Sequence, residues 1–123
     1  MDTFREIKNI LTELLDLEDT DITPDTYMIK DLGAESIDLL ELAVAINSRF
    51  AISVKDDEIF LTRFRQYLKE AEELKTNPVS YLEGKYPFLT KGRIEEIASR
   101  TSEGPQLKVE DLMAYVTFHF GKV

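Results

Sequence analysis

The sequence predicts an all-α fold in one domain. Apolar residues recur at helical intervals in several segments, and no stretch alternates apolar and polar residues as a half-buried strand does. There is also no internal repeat or low-complexity segment, and 123 residues suit a single domain with its own core.

The first helix is signed by a capping-box spacing, Thr3 with Glu6, and by Phe4, Ile7, Ile10, Leu11, Leu14 and Leu15 along one face. From Leu17 a long loop, LEDTDITPDTYMIKDLGAE, carries a proline and too little periodicity for a helix or a strand. The acids in and beside it, Asp16, Glu18, Asp19, Asp21 and Asp25, suggest a calcium loop. No run combines alternating acids with the turn glycine and closing glutamate, so no metal site is expected. A second helix is predicted from Ser36 to about Phe50, with apolar residues on more than one face. After the short link AISVK, a third helical pattern starts at Asp56 and keeps Ile59, Phe60, Phe64, Tyr67, Leu68, Ala71 and Leu74 in register. Pro78 stops it, and Asn77 can cap a following short helix. A further helix is predicted over 91–100, a turn-rich link over 101–106, and a last helix from Val109 to Phe120.

Composition excludes several classes of function. Without cysteine there is no disulfide framework, thiolate metal site or cysteine nucleophile. The N-terminus lacks the regions of a signal peptide, and no apolar run approaches the roughly 20 residues that cross a bilayer. A cytoplasmic protein not embedded in a membrane is expected, and nothing in the sequence requires more than a monomer. The net charge of −9 is uneven: residues 1–60 hold fifteen acids and five bases, residues 61–123 nine acids and ten bases. An acidic half opposes binding to nucleic acid and favours basic protein partners.

The stretch DLGAESIDLLEL (31–42) sets one serine among carboxylates at a predicted helix start. Catalysis does not explain it. The surroundings are not G-x-S-x-G, since Asp38 stands where the second glycine belongs, and the lone histidine, His119, lies near the C-terminus. His119 itself reads as a helix-end side chain facing the last carbonyls. No glycine-rich phosphate loop is present, so no catalytic residue is expected. As an N-cap, Ser36 would contribute on the order of 1 kcal/mol, although Leu39 at the third helical position could not complete a capping box. A helix N-terminus also suits a phosphate ester on the hydroxyl. The flanking Glu35, Asp38 and Glu41 would repel that phosphate, and they make better sense as a surface for basic enzymes.

This stretch resembles the attachment motif of acyl carrier proteins, D-x-G-x-D-S-L-D-x-x-E-L. Asp31, Gly33, Ser36, Asp38, Glu41 and Leu42 match as they stand, while Glu35 and Ile37 are conservative departures. Residues 1–60 and 107–123 together resemble a complete carrier domain, a four-helix bundle, with KVEDLMAYV similar to its closing helix. The resemblance implies a protein without catalysis of its own. A phosphopantetheinyl transferase would attach 4′-phosphopantetheine to Ser36, and the arm's thiol would carry acyl groups as thioesters. Partners would be an acyl-carrier synthetase, a ketosynthase or an acyltransferase with basic docking surfaces, meeting Glu35, Ile37, Asp38, Glu41 and Val44. Leu40, Val44, Ile46 and Ile59 are the expected lining of an acyl pocket.

Two features depart from the family pattern. The second helix ends in Asn47-Ser48-Arg49 and not in acids. Residues 61–106 have no counterpart in a compact carrier; they hold eight bases and seven acids, and with Phe60 six of the twelve aromatics. This segment reads as inserted helices that enlarge the core. It also suggests a specialised carrier for a lipid or secondary-metabolite pathway, through a larger acyl pocket or a docking site. The alternatives are a peptidyl or amino-acyl carrier, against which Ala34, Asp38 and Glu41 speak, and an unmodified acidic helical adaptor.

Overall fold

A computed structural model describes residues 2–17 and 21–120. Glu18 and Asp19 of the acidic loop lie outside the described residues. Within them the chain forms seven α-helices: α1 (Thr3–Leu14), α2 (Ser36–Phe50), α3 (Asp56–Ile59), α4 (Phe64–Glu73), α5 (Pro78–Lys85), α6 (Lys91–Arg100) and α7 (Val109–Phe120). A 3₁₀ turn at Thr101–Glu103 follows α6. The all-α prediction holds, and an isolated antiparallel bridge between Tyr27 and Lys108 is the one strand-like pairing among the described residues.

Helix α1 packs against α2 and α7, and α7 also meets α3. Their inward faces bring together Ile7, Leu11, Leu42, Ile46, Ile59 and Leu112, all sealed from solvent. Helices α4, α5 and α6 pack in succession on one another. They share the same core, because Leu82, Tyr86, Ile94 and Ile97 belong to one continuous apolar cluster with α7. Aromatic rings form the seam. Phe64 stacks on Tyr86 at 5.7 Å, Tyr86 meets Phe88 edge-on at 6.0 Å, and Phe88 meets Tyr115 of α7 at 5.1 Å. Segment 61–106 is therefore packed into the fold, with Tyr86 and Phe88 both buried.

Two local expectations are corrected. The cap of α1 is Asp2, whose carboxylate accepts the Arg5 amide at 3.1 Å, and not Thr3. An aspartate one residue earlier supplies the acceptor that Thr3 would otherwise provide. The single helix expected from Asp56 is two, because α3 closes in a Schellman motif. Leu61 takes a left-handed φ of 56°, its amide donates to the Glu58 carbonyl, and the Thr62 amide reaches the Asp57 carbonyl. The turn buries both Phe60 and Leu61, which a continuous helix would place about 100° apart on its surface. The caps at Asn77, which accepts the Ser80 amide, and at Thr90, which accepts that of Arg93, stand at the starts of α5 and α6.

Candidate functional site

The loop before α2 is folded on itself by backbone hydrogen bonds. The amides of Asp31 and Leu32 donate to the Tyr27 carbonyl, Gly33 to that of Ile29 at 3.0 Å, and Ala34 to that of Met28 at 3.1 Å. The Asp31 carboxylate accepts the Tyr27 amide at 2.9 Å. Gly33 sits at φ 67°, the left-handed region that a side chain disfavours, and Ala34 is buried as a plug. With the loop anchored there, Glu35, Ser36 and Ile37 are held out in solvent.

Ser36 is the first residue of α2, not its cap. The cap is Glu35, and Asp38 is the third helical residue, whose carboxylate accepts the Glu35 amide at 2.8 Å. The reciprocal half of the capping box that Leu39 could not supply is thus supplied by Asp38. One consequence is chemical: the Ser36 hydroxyl is exposed and has no hydrogen-bond partner among the described residues.

Helix α2 divides its apolar residues between two faces. Leu42, Ala43, Ile46 and Phe50 point into the core. Ile37, Leu40 and Val44 line one outward stripe, 61%, 57% and 69% exposed. Glu35 and Glu41 lie exposed beside this stripe and Asp38 half-buried, while at the far end Arg49 pairs with Glu6 of α1. The expected pocket lining is therefore corrected. Leu40 and Val44 face out because they fall on the side of α2 opposite Leu42 and Ile46, and Ile46 and Ile59 are sealed in the core.

A cavity of about 350 Å³ lies elsewhere. Ile29 and Leu39 form its wall on the α2 side, and Phe60, Leu61 and Phe64 the wall at the α3–α4 break. Ile97 and Leu107 complete the apolar lining, and Thr62, Arg65, Thr101 and Gln106 are its polar members. None of the four residues expected from sequence lines it. Leu39 was in view as an apolar residue of α2, but the walls from 61–107 depend on how the insert folds back.

The loop and the insert are tied by a polar network that the sequence does not announce. Arg93 of α6 grips the Asp111 carboxylate with two hydrogen bonds of 2.9 and 2.8 Å, both side chains being buried. Lys108 donates to Asp25 at 2.6 Å and to Glu96 at 3.2 Å, and its backbone amide donates to Asp111. These hydrogen bonds from Lys108 hold the Asp25 and Glu96 carboxyls below the usual carboxylate range. Burial pushes the Glu110 carboxyl up. Backbone bonds run alongside, from Met28 to the Leu107 carbonyl and from Val109 to the Thr26 carbonyl, both at 2.9 Å. His119 does not reach out to terminal carbonyls as expected; its ring lies 4.1 Å from that of Tyr115, and its Nε2 is buried without a partner among the described residues.

Residues 5–66 match the family described as Phosphopantetheine attachment site. An acyl carrier protein of Helicobacter hepaticus is 33% identical over 85 residues, covering 68% of this chain and 96% of the relative. This chain belongs to the acyl carrier protein family. Acyl carrier proteins of two Helicobacter pylori strains are 33% identical over 58 residues, which cover 47% of this chain and 74% of theirs. No solved structure matches the chain. Acyl carrier proteins are carriers and not enzymes, and 4′-phosphopantetheine is the prosthetic group expected on this one. The carrier function requires partner enzymes, a phosphopantetheinyl transferase first among them. Among the described residues no helix is long and apolar enough to cross a membrane.

Proposed function

We propose that Ser36 is the attachment point of the 4′-phosphopantetheine arm and that this carrier serves a specialised lipid or secondary-metabolite pathway. The observation that carries the first part is the Ser36 hydroxyl, exposed at the first position of α2 and without a hydrogen-bond partner among the described residues. In the transfer, the Ser36 Oγ attacks the pantetheine-bearing phosphorus of coenzyme A. A phosphodiester forms, the diphosphate bridge breaks, and adenosine 3′,5′-bisphosphate leaves while the hydroxyl proton passes to the transferase. The arm supplies a thiol on which acyl groups ride as thioesters. The protein's own residues position and present: Gly33 and Ala34 set the loop, Asp38 ties off the helix start, and the amides of the first turn favour a phosphate.

The docking surface in this reading is the outward face of α2. Ile37, Leu40 and Val44 offer apolar contact, and Glu35, Asp38 and Glu41 offer the charge that steers a basic partner. Arg49, engaged by Glu6, removes the acidic extension at the far end. Partners that need acids along the whole helix dock poorly here, which supports dedicated enzymes. Incubation with a phosphopantetheinyl transferase and coenzyme A tests the attachment by intact mass. The chain is expected to gain one phosphopantetheine and Ser36→Ala none. No gain, or a gain that survives in Ser36→Ala, would falsify it.

A further inference from the structure

We propose that the insert-walled cavity receives an acyl chain carrying a carboxylate at its far end, with Arg65 as the group that recognises it. This inference rests on Ser36 holding the arm, because only a tethered chain is delivered to this place. Leu39, three residues along the same helix from Ser36, lines the cavity, which puts its near wall one turn from the proposed attachment point. Its volume of about 350 Å³ lies at the small end of ligand pockets, which suits a chain and not a polycyclic group.

The far wall explains the carboxylate. Phe60, Leu61, Phe64 and Ile97 make the cavity apolar, and among the described residues Arg65 is the only charged one that lines it. Arg65 has no carboxylate partner among the described residues, whereas the neighbouring Arg63 is paired with Asp57 at 3.5 Å. Its helix adds to the positive potential: α4 has neither an acid in its first turn nor a side-chain cap. In a chain of net charge −9, this is a cationic spot on the wall of an apolar cavity. An alkyl chain has no use for it. A chain ending in a carboxylate cannot enter an apolar site without a counter-charge, and the Arg65 guanidinium supplies one in a geometry matched to carboxylates.

The test loads the full-length protein by transferase from octanoyl coenzyme A and from suberyl coenzyme A, its ω-carboxylated counterpart. Intact mass comes first, then melting temperature and the rate of thioester cleavage by hydroxylamine. The suberyl form is expected to melt about 2–4 °C above the octanoyl form and to be cleaved about two- to fivefold more slowly. Arg65→Gln, a change at an exposed position that leaves the core intact, is expected to erase both differences, and Arg65→Lys to restore part of them. An octanoyl form as stable and as protected as the suberyl form, or a difference that persists in Arg65→Gln, overturns the inference while leaving the carrier reading standing. Failure to gain mass from either donor overturns the attachment at Ser36, and the inference with it.

Discussion

At the scale of single residues, the strongest commitment is the buried pair of Arg93 and Asp111. Asp111 is 1% exposed, and it accepts from the Arg93 side chain and from the Lys108 amide. Removing one partner of a buried pair strands the other charge. Asp111→Ala is therefore expected to cost about 3–5 kcal/mol, read from urea melts. The exposed neighbours make stability depend on pH. Asp25 and Glu96 have depressed folded pKa values, so their contribution is present above their ordinary values of 3.8 and 4.5 and is lost as pH falls through the folded ones. Glu110, pushed up by burial, works in the opposite sense. Melting temperature should stay level from neutral pH to about pH 5 and fall below it, more gently in Lys108→Met, which removes the shared donor.

At the scale of elements, helix endings are where sequence reading and structure part. Among the described residues four helices end on a non-glycine residue in the left-handed region: Asp16 after α1, Ala51 after α2, Leu61 after α3 and Lys75 after α4, with φ of 52°, 52°, 56° and 55°. The endings at Asp16, Leu61 and Lys75 close the same pair of backbone bonds, as when Lys75 donates to the Glu72 carbonyl and Thr76 to that of Ala71, both at 3.1 Å. Glycine is the usual sign of this ending, so its absence at 61 let the apolar register of 56–74 read as one helix. The left-handed conformation costs a side chain roughly 1–2 kcal/mol, part of which glycine returns as lost chain entropy. At the exposed Lys75, Lys75→Gly should gain about 0.5–1 kcal/mol, visible as a rise of a few degrees in melting temperature.

At the scale of the whole molecule, the insert is part of the structural core. Leu82, Ile94 and Ile97 share one core with α7, and the ring contact of Phe88 with Tyr115 crosses the boundary at 5.1 Å. The chain is expected to unfold in one cooperative transition, with calorimetric and van't Hoff enthalpies equal. Excising 61–106 would bare Tyr115 and leave Asp111 without Arg93, so the shortened chain should lose its sharp melt and expose apolar surface to a dye such as ANS. Two separated transitions in the full chain would instead show that α4 to α6 fold on their own.

The residues alone determined the helical class, the bounds of α2, α6 and α7, and the serine set among carboxylates, because periodicity, capping residues and motif spacing are local properties. They left undetermined which apolar face of α2 turns inward, since both faces are apolar and only α1 and α7 choose between them. Leu40 and Val44 read as pocket residues for that reason, and packing places them outside. The cavity and its single arginine belong wholly to the tertiary structure. They join Leu39 to residues of the insert brought near by the Arg93–Asp111 pair and the aromatic seam, and contacts between residues so far apart in the chain leave no periodic trace in the sequence.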